Sequence, residues 1–393
     1  MIATGLDRLL ADPAPLAGRR FALLAHGASV SRDLLPAHLA LARAGHRPIR
    51  LFGPEHGFYG IEQDMVGAAD QIDPWTGAPI VSLYGDDAVS LRPRRGAFEG
   101  VDLVLIDLQD VGARYYTYAA TAVWTAEVAL AVGCEVWVLD RPNPLGGVVV
   151  EGNLPSPGFE SFVGAFRMPA RHGLTLAEIV RLELARGGAD CAGLRVLELE
   201  GWRREALWPE LGRPWIAPSP NMPDFATALV YPGLCLLEAT ELSEGRGTTR
   251  PFRLLGAPGI DPLALADALA PLAEHGVRAV PTYFRPWHQK HRGELCAGVE
   301  LAVTDAARVA GFQLGVRLLA ALREVAGASF RWREAPYEFV ADRPAIDLLA
   351  GTDALRRALD AGDSPEPWID SWIADEVAFR AERAEHLLYP EAP

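Results

Sequence analysis

The sequence predicts an α/β protein with a mainly parallel sheet in its first half and a second α/β unit behind it. Three observations carry that expectation. Short β-rich runs alternate with helical stretches through the first half, the pattern of βα units. Val101–Ile106 and Val136–Leu139 are nearly unbroken apolar runs, as strands covered on both faces must be. After the Pro-rich stretch Arg213–Pro223 the composition shifts to longer Ala/Leu-rich helices, which sets a domain boundary near Phe225, dividing residues 1–225 from 226–393.

In order, strands are expected at Arg20–Ala25, Pro48–Phe52, Ile80–Tyr84, Val101–Leu108 and Glu135–Leu139. Between the last two, Tyr115–Val132 has apolar residues at helical spacing and meets Gly133, a suitable residue to end a helix. Thr175-Leu-Ala-Glu178 is a capping box that opens a helix through Ala185, stopped by Gly187-Gly188 and followed by a strand at Leu194–Leu199. The second half reads as helices at Pro262–Glu274 and Asp305–Val325, strands at Arg278–Phe284 and Val299–Val303, and a last helix opened by Ser364-Pro365. No internal repeat or low-complexity segment interrupts this order.

Composition narrows the function. Lys+Arg 37 against Asp+Glu 51 leaves a net charge of −14 over 393 residues, which argues against a general nucleic-acid binder. Half the residues are hydrophobic and 22% charged, a globular balance. The 38 glycines and 31 prolines follow no period, so they belong to structured loops. Cys134, Cys191, Cys235 and Cys296 are far apart in apolar contexts and read as buried free thiols. No run reaches the roughly 18 apolar residues of a membrane span. Asp7 stands where a signal peptide carries only bases, and Arg19-Arg20 break the next apolar run, so the chain as numbered is expected in the cytoplasm unless an export signal was trimmed.

Open α/β sheets bind ligands beyond the carboxyl ends of their strands, and the loops there are unusually specific in this sequence. They read Gly53-Pro-Glu55-His56-Gly57, Gln109-Asp110-Val-Gly112-Ala-Arg114-Tyr-Tyr116, and Asp140-Arg141-Pro-Asn143-Pro-Leu-Gly146-Gly147. Glycine and proline restrain the backbone while acids, Arg, Asn and Gln project from it, which predicts one polar site on a rigid scaffold. Pro218-Ser-Pro-Asn221-Met-Pro223 and Ser243-Glu244-Gly245-Arg246-Gly247-Thr-Thr249 could close over it. A dinucleotide fingerprint, a Walker A loop and a G-x-S-x-G elbow are all missing. His288-Gln-Lys-His291 with Glu294 lacks the H-E-x-x-H order, and ordinary hydrogen bonding is the commoner fate of such histidines, so neither metal nor nucleotide cofactor is expected.

The motifs Leu51–Gly57, Asp107–Tyr118, Leu139–Gly147 with Glu151-Gly152, Pro218–Pro223 and Ser243–Thr249 together resemble the NamZ-type exo-β-N-acetylmuramidases. That resemblance implies a Rossmann-like N-terminal domain, a smaller C-terminal domain, and removal of N-acetylmuramic acid from the non-reducing end of β-1,4-linked peptidoglycan fragments. It also places the family's proposed catalytic glutamate at Glu55. The expected partner is a disaccharide or short glycan, as in cell-wall recycling, with no nucleic acid or membrane; the sequence does not define the oligomeric state.

Residue chemistry is consistent with a glycosidase without naming the sugar. Hydrolysis needs an acid for the leaving oxygen and a carboxylate that attacks or activates water. Glu55, with Phe52, Phe58 and Tyr59 near it in sequence to desolvate it, fits the acid. Its partner is Glu244 first, then Asp110 or Glu151, or the substrate's own acetamido oxygen; each carboxylate has an ordinary ion pair as its alternative. Arg114, Arg141 and Arg246 are candidates for the lactyl carboxylate that distinguishes muramic acid, with Arg246 preferred between its two glycines. Gln109, Asn143 and Asn221 could hydrogen-bond sugar groups, Tyr116 or its neighbours Tyr115 and Tyr118 could stack on a ring, and His56 joins the binding candidates. His26 and His172 read as loop hydrogen bonders. Two rivals remain at this level: a binding protein for another small anion in the same cleft, and a metal-dependent hydrolase using His56 and the aspartates.

Overall fold

The computed structural model describes residues 2–391. Its main sheet has seven strands: β1 (Phe21–Ala25), β2 (Arg50–Gly53), β3 (Gln71–Ile72), β4 (Pro79–Ser82), β5 (Leu103–Asp107), β6 (Glu135–Leu139) and β7 (Leu194–Leu197). They lie in the order β3-β4-β2-β1-β5-β6-β7. Only β3, an edge strand of two residues, runs antiparallel to its neighbour.

Alternation along the central strands explains why they read as unbroken apolar runs. Side chains of a strand point to opposite faces in turn. Ala22, Leu24, Val104 and Ile106 face the core built with Ala122, Ala126, Ile179 and Val180. Phe21, Leu23, Leu103 and Leu105 face the other, with Leu6, Leu9 and Leu41. Helices therefore cover both faces, and every residue of β1 and β5 is buried. The capping box forms as expected: Thr175 caps Leu176–Arg186 and Glu178 reaches back to the cap's backbone.

A second sheet has three antiparallel strands, β8 (Leu254–Ala257), β9 (Val277–Phe284) and β10 (Cys296–Val303), in the order β8-β10-β9. The helix Pro262–Ala268 packs against β9 and β10 and against the helix Gly311–Ala326, which crosses the helix Phe225–Leu234 very closely: a Cβ at Gly315 would stand 2.3 Å from the backbone of Gly233. The largest core cluster runs through both halves of the chain. The helix Glu366–Arg383 returns to the first half, where Gly152 N–H donates to Glu376 (3.0 Å) and Arg383 donates to the carbonyls of His172 and Gly173. Tyr389 Oη then donates to Asp140 at 2.6 Å.

Several elements differ from expectation. The helix expected from Tyr115 begins at Tyr118, leaving Tyr115, Tyr116 and Thr117 in the preceding turn. Pro262–Glu274 splits after Ala268 into a 3₁₀ segment, because Pro271 has no N–H to continue the α-ladder. Asp305–Val325 likewise resolves into a short 3₁₀ turn and a helix starting at Gly311. The last helix starts at Glu366, whose N–H bonds Ser364 Oγ, with Pro365 at the cap. All four cysteines are free, and Cys191 is only half-buried. Among the described residues no helix is long and apolar enough to cross a membrane.

Candidate active site

The order of the sheet reverses between β1 and β5, where doubly wound proteins usually hold a ligand. Here protein fills that crevice. Gln109 N–H donates to His26 Nε2 at 2.9 Å, so the proton of the imidazole lies on Nδ1, which donates to the Pro218 carbonyl at 3.2 Å. Burial and the nearby Arg141 guanidinium push the His26 pKa down to about 3, keeping it neutral. Tyr118 Oη donates to the same Pro218 carbonyl at 2.8 Å. These bonds hold the Pro218–Pro223 segment over the strand ends and displace the ligand cleft toward β2.

Glu55 follows β2 directly. Pro54 and Gly57 close a turn (2.9 Å) and His56 takes a left-handed backbone, φ 69°, uncommon for a residue with a Cβ. His56 Nδ1 donates to the Glu62 carbonyl at 2.9 Å, which ties the next loop to the turn. Glu55 is buried, and Thr117 Oγ1 donates to its Oε2 at 2.7 Å. The delayed helix start thus has a consequence: Tyr115, Tyr116 and Thr117 all line the cleft with Glu55. Tyr231, from the second half, meets Tyr115 and Tyr116 edge-on, with ring centroids 6.4 and 6.2 Å away.

The opposite wall is charged. Arg246 Nη2 donates to Glu238 at 2.8 Å, Nη1 lies 3.2 Å from Asp64, and Nε is 3.7 Å from Glu244. The guanidinium sits over Phe252, and its Nε and Nη1 have no hydrogen-bond partner among the described residues. Burial alone would raise the Glu238 carboxyl, but Arg246 beside it and the Tyr337 hydroxyl at 2.7 Å hold it below the usual range. Gly247 does not bring its backbone toward a ligand: a Cβ there would stand 2.3 Å from the carbonyl oxygen of His288, so the glycine admits the 285–291 segment. Lys290 from that segment donates to Glu244 at 2.8 Å and to the carbonyls of Leu237 and Leu242.

Of the residues singled out in the sequence, Glu55, His56, Tyr116, Asn221 and Arg246 line this cleft. Asn221 Nδ2 donates to Gln63 at 2.9 Å. Glu244 lies behind the wall, held by Lys290 and Arg246. The others are committed elsewhere. Arg141 is bidentate on Asp107, both buried. Arg114 donates to the carbonyls of Asn153, Met168 and Leu349, joining the two halves. Gln109 spans the Asp110 and Pro142 carbonyls, and Asn143 binds Leu174 O and Leu145 N–H. Asp110 accepts from Gly112 N–H and faces His172 at 3.4 Å; Glu151 accepts from Gln313 N–H at 2.7 Å. In each case the Gly/Pro-restrained motif builds the frame of the site instead of its surface.

Of the lining carboxyls, Asp64, Glu238 and Glu338 were not singled out in the sequence. Glu338 enters from the second half in the turn Tyr337–Val340, buried, and accepts from Tyr84 Oη at 3.1 Å. Burial first, then the neighbouring Glu55, push its pKa well above the usual carboxylate range. Its only sequence signal was an isolated Glu in a segment without turn residues.

Four carboxyls, Glu55, Asp64, Glu238 and Glu338, in a polar, aromatic-lined cleft over an α/β sheet include the pair that a carboxyl-based glycoside hydrolase needs. Comparison with known proteins carries the assignment further. The exo-beta-N-acetylmuramidase NamZ N-terminal family model matches residues 21–226 and its C-terminal counterpart residues 229–389. The peptidoglycan beta-N-acetylmuramidase NamZ of Bacillus subtilis (strain 168) is 35% identical over 390 residues, spanning 99% of this chain and 91% of that protein. Crystal structures of two DUF1343 family proteins from Bacteroides fragilis NCTC 9343 are similar, one with TM-score 0.87 and 27% identity over 99% of both chains, another with TM-score 0.77 and 25% identity over 100% of both. The chain belongs to the NamZ family of exo-β-N-acetylmuramidases and is a glycosidase.

Proposed function

We propose that this protein releases N-acetylmuramic acid from the non-reducing end of β-1,4-linked peptidoglycan fragments, with Glu55 as the principal catalytic carboxylate. The observation that carries the reading is the position of Glu55: a buried carboxylate at a strand end, oriented by Thr117 and facing a cleft lined from both family-matched halves. Asn221 and the Tyr115–Tyr116 pair line the same cleft, which supports a role for them in meeting sugar hydroxyls and ring faces. Arg246, with two unbonded N–H groups on the cleft wall, is the group to meet the lactyl carboxylate.

The test is turnover of a chromogenic β-N-acetylmuraminide beside the matching N-acetylglucosaminide. Wild-type protein is expected to cleave the first preferentially. Glu55→Gln keeps the shape of the side chain but can neither carry its charge nor move a proton, so turnover should fall by about 10²–10⁴-fold or more while substrate still binds. Turnover within a few-fold of wild type would make Glu55 a brace for the turn.

A further inference from the structure

We propose that Glu338 is the catalytic acid of this cleft, supplying the proton that the departing glycosidic oxygen takes up. The inference rests on the glycosidase reading, with Glu55 as the opposing carboxylate.

Its first support is backbone geometry. Tyr337 and Val340 exchange both backbone hydrogen bonds, at 3.0 and 2.9 Å, so Glu338 and Phe339 are the two central residues of the tightest hairpin turn. Both have left-handed backbones, φ 46° and 68°. Such turns select Asn and Gly, because a Cβ is disfavoured at either position. A Glu-Phe pair persists there only because surrounding contacts hold it, and such strain gathers at functional sites. Those contacts are specific: Tyr337 Oη donates to Glu238, the Phe339 ring meets Tyr84 at 5.6 Å, and Tyr84 Oη donates to Glu338. The turn thereby delivers one buried carboxyl from the second half to the cleft that holds Glu55.

The second support is charge. The cations of this wall stand beside other acids, Arg246 beside Glu238, Asp64 and Glu244, and Lys290 beside Glu244. Glu338 instead faces Glu55, Glu238 and Asp64, all acidic, with the Tyr84 hydroxyl as its one hydrogen-bond donor among the described residues. Burial and those neighbours favour its protonated form, while the Tyr84 bond works the other way. A carboxyl biased toward its acid form beside a second carboxyl supplies the two roles that glycoside cleavage requires.

In the reaction the Glu338 proton passes to the glycosidic oxygen, which keeps the electron pair of the breaking C1–O bond. Water supplies the hydroxyl that completes the sugar at C1. The second proton of that water, taken through Glu55, restores the acid form of Glu338, so one water is consumed and no group is left charged.

A proton donor matters most when the leaving group is poor. Glu338→Gln should lower kcat/KM about 10²–10⁴-fold on the N-acetylmuramic acid–N-acetylglucosamine disaccharide, but no more than about tenfold on the 4-nitrophenyl muraminide, whose phenolate departs unaided. Equal losses on both substrates, or no loss on the disaccharide, overturn the proposal. If Glu338→Gln does not fold, Tyr84→Phe decides: removing the bond to the ionised form should move the alkaline limb of the disaccharide kcat/KM profile to higher pH, and an unmoved limb overturns the proposal. Wild-type inertness toward both substrates would strike the glycosidase reading itself, a result distinct from either of these.

Discussion

Arg246 shows how much a single side chain is asked to do. One guanidinium stands among Glu238, Asp64 and Glu244 in a protein of net charge −14, so an anionic sugar is repelled at long range and must be recognised locally. A lactyl carboxylate reaching Nη1 would share it with Asp64, which Gln289 also holds at 2.8 Å. Arg246→Ala should therefore cost about 2–4 kcal/mol in kcat/KM for the muramic substrate, the scale for truncating one partner of a buried charge pair, and much less for any activity on the N-acetylglucosamine analogue. Equal losses on the two substrates would show that Arg246 serves only to neutralise its acidic neighbours. At this scale Glu55 was legible because its motif combines a strand end with restraining Gly and Pro. Glu338 was not, since its neighbours Tyr337, Phe339 and Val340 include none of the residues that mark a hairpin turn. Arg141 and Arg114 carried as strong a motif as Glu55, yet fold inward, because whether a guanidinium meets a ligand or a buried carbonyl depends on partners distant in sequence.

At the scale of elements, strands were the most readable. β5 and β6 are apolar on both faces, a signal that survives without knowledge of neighbours, whereas β3 has only two residues, both exposed, and β8 only four, all buried, too short for any period to show. Helix ends were less readable: the turn before Tyr118 looks helical in composition but is claimed by the cleft. The closest helix contact is the crossing of Phe225–Leu234 with Gly311–Ala326, where Gly233 and Gly315 meet backbone to backbone. A methyl at Gly315 must push the helices apart, so Gly315→Ala should destabilise the fold by about 1–3 kcal/mol in denaturant unfolding. Because Tyr231 sits on the displaced helix and lines the cleft, kcat/KM should fall as well. Unchanged stability would mean that the crossing relaxes freely.

Across the whole molecule, buried ionisable groups set how stability depends on pH. Burial pushes Asp140, Glu151 and Glu183 each up to about 7, and it pushes His26 down to about 3. Between about pH 5 and 6.5 the folded chain holds three protons on those acids and none on His26, while the unfolded chain holds one on the histidine and essentially none on the acids. The unfolded state thus binds fewer protons, 1 − 3 = −2, and stability falls as pH rises through this window. The raised Glu338 and Asp107 act in the same sense and the lowered His38 in the opposite one, and the excess negative charge of the chain adds self-repulsion at the alkaline end. Thermal melts at fixed ionic strength should accordingly show a higher midpoint near about pH 5.5 than near about pH 7.5. Glu151→Gln gives the internal control. Its amide oxygen can keep the bond from Gln313 N–H, and its other end replaces Oε2, which has no hydrogen-bond partner among the described residues, so one titrating proton is removed with the fold kept. That variant should melt with a visibly shallower pH dependence than wild type; a slope as steep as the wild type's, or a midpoint that drops on acidification to about pH 5.5, contradicts the excess of raised acids over the depressed histidine.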